Sequence, residues 1–577
     1  MLLKRFTTLF LASALCACTA RNLETASPAA LPVPEARDRR PNIVFIMADD
    51  HAVQALSAYG HPISQVAPTP NIDRIAANGA LFANSFVTNS LCGPSRAAML
   101  TGKFGHINGL NQNGEVFDNN QPTWPRALHE AGYQTALVGK WHLGANPVGL
   151  SLDHWQVLDD QGEYYNPDFI TEAGTTRVEG YTTDLITRDS LEWLRTQRDP
   201  NRPFLLMVQH KAPHRNWMPA FRHIERYQNL RFPVPATYFD DYEGRPAAAA
   251  QEMNIYRDMY EGHDLKMTTG VGSTELRYNP WPGAFGRLTA EQRARWDAAY
   301  RDVNDAMNDA GLEGRDMALW KYQRYLQDYT ASLAAVDEGV GQILDYLEES
   351  GLADNTIVIY TSDQGFYLGE HGWFDKRFIY EESLRTPLLM QFPGRIPAGT
   401  SQDELVQNID LAPTLLEYAG VPAFEGIQGR SLRPIAEGQE VSDWRNSVYY
   451  HYYEFPGFHS VRAHFGVRTD RYKLVRFYGD MDAWEFYDLQ SDPSEVNNRI
   501  DDPAFRPQIE AMRAELARLR RQYRDETGPA IARPTAEHDV PREGALDDGR
   551  RPASGASTVF GTVRVGRSQH SVRSEKA

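Results

Sequence analysis

Four short polar clusters in this sequence carry side chains able to do chemistry: Asp49-Asp50, Lys140-Trp141-His142, the segment 209–214 and Ser362-Asp363-Gln364-Gly365. Carboxylates and an amide carbonyl are hard oxygen ligands suited to a divalent cation. Lysine steadies an anion and histidine moves protons. Either acid pair alone reads as a helix cap or a turn. Cys92 is a further candidate, because Cys16 and Cys18 fall within the first twenty positions and leave the body with one thiol. No disulfide framework is then available, and a lone cysteine is either inert and buried or reactive.

Each cluster closes a stretch of regular pattern. Asn42-Ile43-Val44-Phe45-Ile46-Met47 is a continuous apolar run rich in branched residues, the pattern of a strand buried on both faces, and it stops at Ala48-Asp49-Asp50. A helical stretch at 124–131 and a stop at Gly132 precede Thr135-Ala136-Leu137-Val138-Gly139, which leads into Lys140. Phe204-Leu205-Leu206-Met207-Val208 leads into 209–214. A long helix, marked by Tyr322, Tyr325, Leu326, Tyr329, Leu333, Val336, Val340 and Ile343, precedes Thr356-Ile357-Val358-Ile359-Tyr360 and the last cluster. Strands alternating with helices predict a doubly wound, mostly parallel α/β sheet. Ligands of such sheets bind beyond the carboxyl ends of strands, so the four clusters should converge on one site.

The 577-residue chain predicts a large domain with a smaller companion, and 42% hydrophobic with 23% charged residues is ordinary globular composition. A net charge of -17 excludes a general nucleic-acid binder, so an anionic ligand needs a locally basic pocket. Residues 1–20 begin with Lys4-Arg5 and an apolar stretch, the form of a secretory signal, and end in Leu15-Cys16-Ala17-Cys18. That ending resembles a bacterial lipobox, which makes Cys18 a lipidated mature terminus and the protein an exported periplasmic or surface lipoprotein; simple peptidase cleavage nearby is the alternative. Residues 21–40 read as a proline-containing linker and 41–440 as the main domain. Residues 441–530, with strand-like runs at 447–453, 464–469, 472–478 and 484–489 and a helix at 507–523, read as a small antiparallel α+β domain. Residues 531–577 have little to bury and read as a disordered tail.

The segment Leu91-Cys92-Gly93-Pro94-Ser95-Arg96-Ala97-Ala98-Met99-Leu100-Thr101-Gly102-Lys103 resembles the signature of type I sulfatases of the alkaline-phosphatase-like superfamily, whose C-x-P-S-R cysteine is oxidised to formylglycine. The likeness spans about Pro41 to Asn498, and its landmarks run in the family's order from Asp49 to Lys376. It implies a sulfatase in which one hydroxyl of the hydrated aldehyde at position 92 attacks sulfur and the other later drives sulfate out, a covalent route that splits one hard step into two. It also implies a maturation enzyme that reads Cys92, Pro94 and Arg96 before folding.

By the same likeness, Asp49, Asp50, Asp363, Gln364 and modified residue 92 hold calcium, or magnesium. The family more often has Asn or His where this chain has Gln364. Arg96, Lys140 and Lys376 surround the sulfate; His142 supports the diol and its collapse; His214 protonates the departing alcohol with help from Lys376. His371, His459, His464 and Arg468 are candidates for substrate contact, and the tyrosines of the small domain serve equally as packing between sheet and helix. The acidic insertion 239–314 is a candidate pocket wall. The body resembles bacterial polysaccharide and glycosaminoglycan sulfatases, including N-acetylglucosamine-6-sulfatase-like and algal-glycan enzymes, so a sulfated carbohydrate is the expected substrate. Related enzymes that attack phosphorus with the same nucleophile make a phosphonate monoester or phosphodiester hydrolase the main alternative. A sugar-binding protein with a dead site is the lesser one.

Overall fold

The computed structural model describes residues 40–268 and 282–530. The expected signal peptide, Cys18, nearly all of the linker and the tail lie outside the described residues. Among the described residues no helix is long and apolar enough to cross a membrane.

The predicted doubly wound sheet is present, with ten strands among the described residues. Its middle is built from β1 (Asn42–Ala48), β2 (Gln134–Gly139), β3 (Phe204–Gln209) and β4 (Thr356–Ser362), joined by β5 (Leu388–Gln391). The spatial order is Thr400–Gln402, Ala80–Phe82, β5, β4, β1, β3, β2, His154–Leu158, Asp168–Thr171, Gly174–Arg177. From β4 through His154–Leu158 the strands are parallel, whereas β5 and the last two are antiparallel to their neighbours.

Alternation along β1 explains why its run is apolar throughout. Val44, Ile46 and Ala48 enter one core with the long helix, while Ile43, Phe45 and Met47 enter the other, on the opposite face. Helix α1 (Cys92–Thr101) contributes Ala97, Met99 and Leu100 to the second core, and α2 (Gly314–Glu349) contributes Tyr322 to Leu347 to the first.

Register sets the site. Met47 pairs with Gln209, Ala48 with Ser362 and Gly139 with Gln209, so four neighbouring strands end at one level. The loops that leave these strands therefore emerge side by side. Gly139, at φ +114, is required there, since a Cβ would run into the Gln209 carbonyl.

The small sheet, β6 (Ser447–Tyr452), β7 (His464–Thr469), β8 (Tyr472–Phe477) and β9 (Ala483–Asp488), is an antiparallel meander. One face packs Phe465, Val467, Leu474 and Phe486 under Met512, Leu516 and Leu519 of α3 (Arg506–Tyr523). The other face packs Val448, Tyr450 and Phe477 on Phe378, Ile379 and Tyr380. Tyr450 Oη donates to the Arg377 carbonyl at 2.5 Å and Lys473 Nζ to the Ile379 carbonyl at 2.8 Å, so this sheet pins the segment that carries Lys376.

Candidate active site

Cys92 is the first residue of α1 and is 1% exposed. The residues just after it each have a structural task. Pro94 sits in the first turn, where its missing N–H costs no helical bond. Ser95 Oγ donates to the Asp363 carbonyl and accepts from Asn408 Nδ2 at 2.9 Å, tying the helix to the strand-end loop. Arg96 forks: Nε and Nη2 reach Asp363 Oδ2 at 3.0 and 2.9 Å, and Nη1 reaches the Lys140 carbonyl and Gln209 Oε1 at 2.9 and 2.8 Å. The chain leaves α1 through Gly102 at φ 64, the usual left-handed stop. Position 92 thus lies at the positive end of a helix, a favourable place for an anion.

Around Cys92 stand three carboxylates and three cations. Its Sγ donates to Asp49 Oδ1 at 3.4 Å and accepts from Lys376 Nζ at 3.1 Å. Lys140 Nζ pairs with Asp49 Oδ2, and Lys376 Nζ with Asp50 Oδ1. The Asp50 N–H donates to Asp363 Oδ1 at 3.1 Å, and Asp50 itself takes a left-handed φ of 64, strain of the kind held at functional sites. One oxygen from each of Asp49, Asp50 and Asp363 lies within 4.8 Å of the others.

The charges behave accordingly. Burial raises Asp50 to about 7, with Asp49 and Asp363 adding repulsion against the pull of Lys376. Burial and Asp49 likewise raise Asp363. Burial would raise Asp49 too, but Lys140, His214, Arg96 and Lys376 together hold it well below the usual carboxylate range. Burial and then Asp49 push the Cys92 thiol up, the opposite of what a thiolate nucleophile needs.

The donor set fits a hard divalent cation. Asp50 Oδ2 and Gln364 Oε1 are buried with no hydrogen-bond partner, although Gln364 Nε2 donates to Asp50 Oδ1. Unpaired buried oxygens beside crowded carboxylates are what a cation would satisfy.

His214 Nδ1–H donates to the Arg215 carbonyl at 2.8 Å, leaving Nε2 to face Asp50 Oδ2 at 3.7 Å. Burial and then Lys140 lower it well below the ordinary histidine value. His142 is lowered by the same two causes and sits at a left-handed φ of 54, with Nε2 2.8 Å from Gln161 Nε2. For Lys376, burial opposes the charge, but Asp50, Cys92 and Asp375 outweigh it and raise the group well above a free lysine.

Among the four substrate candidates the structure separates one from three. His459 Nε2 lies 3.4 Å from Asp375 Oδ2, beside Lys376. His371 is wholly buried among Tyr367, Trp373 and Tyr380, with Nδ1 bonded to Asp240 at 2.7 Å. His464 is also wholly buried, accepting from the Ile379 N–H at 3.1 Å and donating to the Arg462 carbonyl at 2.8 Å. Arg468 pairs with Glu381 at 3.3 Å and borders a separate cleft of about 1050 Å³ that none of the cluster residues lines.

Sequence reasoning passed over several neighbours. Gln209 lies in the polar segment 209–214 but without an assigned role, and Gln161 is an amide in an unmarked loop position. Arg377 bridges Asp375 at 3.0 Å and Glu454 at 3.1 Å, carrying the small domain to the rim. Asp264, from the acidic insertion, holds Arg215 in a fork at 2.7 and 2.6 Å, so that insertion does reach the neighbourhood of His214. Asp375 and Arg377 flank Lys376 directly, a signal the sequence did contain.

A doubly wound sheet that gathers a cation-ready carboxylate trio, three basic groups and a helix-start side chain at its carboxyl edge is the architecture of a hydrolase for anionic esters. Comparison with known proteins defines it further. Residues 41–421 match the sulfatase family, and 369–522 match the family described as N-sulphoglucosamine sulphohydrolase, C-terminal. The chain is 46% identical over 493 residues to an N-acetylglucosamine-6-O-sulfatase of Bacteroides thetaiotaomicron, covering 84% of this chain and 87% of that one. A solved structure in complex with its substrate D-glucosamine-2-N,6-O-disulfate is 45% identical with a TM-score of 0.80, covering 85% of this chain and 99% of that one. A phosphonate monoester hydrolase of Silicibacter pomeroyi, at 22% identity and TM-score 0.61 over 85% of this chain and 96% of that one, shares the fold. The chain belongs to the sulfatase family and is a sulfuric ester hydrolase.

Proposed function

We propose that this enzyme removes 6-O-sulfate from glucosamine-type units of a sulfated glycan, with residue 92 acting as formylglycine. The observation that carries the reading is the position of Cys92 at a helix start between Asp49 and Lys376, in a chain this similar to a glucosamine-6-O-sulfatase. The raised thiol argues against an unmodified Cys92 acting as a thiolate. The aldehyde, when formed, supplies through its hydrate a hydroxyl nucleophile at position 92. Calcium is the favoured ion for Asp49, Asp50, Asp363 and Gln364, and when bound it supplies positive charge at the sulfate oxygens.

This chain's own residues do the remaining work. Arg96 holds Asp363 in place, and Lys140 and Lys376 offer cations to the sulfate as charge moves to the leaving oxygen. His214 is assigned to the departing alcohol, and since Nδ1 keeps its proton for the Arg215 carbonyl, Nε2 must first take up a proton before passing it on; His142 steadies the hydroxyl at residue 92. His459, with Asp375 and Arg377, is placed to bond ring hydroxyls. A maturation enzyme acting before folding agrees with the burial of every residue of α1, which keeps the segment around Cys92 from entering another protein's active site once folded. Export through residues 1–20 and a lipid on Cys18 belong to the same reading.

Matured protein is assayed against 6-O-sulfated glucosamine, its N-sulfated and N-acetylated forms, 2-O-sulfated uronate, 6-O-sulfated galactosamine and a phosphonate monoester. The 6-O-sulfated glucosamines should lead in kcat/KM by about 100-fold or more, since a site built to bond particular hydroxyls rejects epimers that leave its polar groups unpaired. A faster galactosamine or phosphonate substrate overturns the assignment.

A further inference from the structure

We infer that Gln161 is a positioning residue that fixes His142 in one tautomer, with its proton on Nδ1. Lys140 Nζ lies 2.6 Å from the side-chain oxygen of Gln161, and an ammonium has donors but no acceptor. The amide oxygen must therefore face Lys140, which leaves its NH2 toward His142 Nε2 at 2.8 Å. An NH2 group donates as well, so Nε2 must present its lone pair. A neutral imidazole carries one proton, and it is then on Nδ1.

The surroundings agree. Asp160 Oδ1 is 3.4 Å from the same Nε2 and would favour a proton there, but its side chain is 78% exposed, so water screens it and the shorter amide bond decides. Nδ1 is buried with no hydrogen-bond partner. A buried unpaired donor costs about 1–3 kcal/mol and is kept where a ligand completes it. With Nε2 engaged by Gln161, Nδ1 is the ring nitrogen without a protein partner, so the orientation of the His142 proton is set by Gln161. Gln161 thus links the sulfate-facing Lys140 to the orientation of His142.

The functional half of this inference rests on the sulfatase reading; the tautomer does not. Protein labelled with 15N-histidine, with the His142 signals assigned by their loss in His142→Gln, should show a protonated Nδ1 and a bare Nε2. Gln161→Glu offers two acceptor oxygens, one for Lys140 and one that demands an Nε2 proton, so the pattern should reverse. Its kcat should fall about 10- to 100-fold, the usual range for such supporting contacts, while KM stays within about threefold. Gln161→Ala removes the bias and should lose less. A purely structural role predicts the opposite ranking, because Glu keeps the shape of Gln and Ala does not. An Nε2 proton in the native protein, or Gln161→Glu with an unchanged tautomer or undiminished kcat, overturns the inference. An inactive native protein with the Nδ1 proton would sink the sulfatase reading and leave the tautomer standing.

Discussion

Replacing Arg96 with lysine keeps the charge and removes the geometry, which makes it the sharpest test of how the cluster is held. Arg96 is 2% exposed and spends four contacts on three elements: two on Asp363 Oδ2, one on the Lys140 carbonyl and one on Gln209 Oε1. A lysine carries all its donors on one atom and cannot reach Asp363 and the Lys140–Gln209 pair together. Two buried acceptors lose their partner, at about 1–3 kcal/mol each, so Arg96→Lys should cost about 4 kcal/mol in stability. Domains of ordinary stability hold about 5–15 kcal/mol, so the chain should still fold. With Asp363 and the Lys140 backbone no longer pinned, kcat/KM on a sulfate ester should drop about 100- to 1000-fold, the scale of losing one preorganised contact at a reacting centre. Urea unfolding followed by circular dichroism, and initial rates at saturating calcium, give the two numbers. A variant within about 1 kcal/mol and threefold of the native enzyme would refute the reasoning, since such small effects belong to surface positions.

Proton and cation should compete at Asp50. Its carboxyl sits at about 7, so it is largely neutral below that and must lose its proton to bind an ion; calcium affinity measured by calorimetry should rise from about pH 6 to about pH 8, and a flat profile would remove Asp50 from the ligand set. Gly139→Ala forces a Cβ into the Gln209 carbonyl at a left-handed φ, so unfolding free energy should fall by about 3 kcal/mol or more; a loss under about 1 kcal/mol would mean the β2–β3 pairing has slack. Asp525→Asn should destabilise by about 2 kcal/mol while sparing kcat. Asp525 accepts from His451 at 2.6 Å and Tyr449 at 2.7 Å in a network bracing the small sheet, and an asparagine keeps one acceptor oxygen. A large kcat effect with unchanged unfolding would show that network to be part of the catalytic site.

The middle of the sheet was legible because burial on both faces leaves an unbroken apolar run, as in β1, β3 and β4. The edges were not. Thr400–Gln402 is polar, Gly174–Arg177 is fully exposed and Ala80–Phe82 is three residues long, so none carries a period to read. At the site, the acid pairs announced themselves by falling at strand ends, and Cys92 and Arg96 by the likeness of their segment to the C-x-P-S-R signature. Gln161 did not, because an amide in a loop has no pattern, and Gln209, although inside the polar segment 209–214, acquires its task from register: it meets Arg96 only because it pairs with Gly139. His371 and His464 show the converse: the structure places both inside aromatic packing. A histidine packed among aromatic rings and one beside the charged cluster look alike in sequence, and only their neighbours in the fold tell them apart.

The claim that most needs testing is that the group at position 92 which attacks sulfate is an aldehyde hydrate. Expression with graded amounts of maturation enzyme yields samples whose aldehyde content at residue 92 can be counted by mass spectrometry of the α1 peptide. Turnover per molecule should follow that content on a straight line through zero, with Cys92→Ser folded and inactive at the origin. Appreciable sulfate release from protein carrying an unmodified Cys92, or from Cys92→Ser, would contradict the account.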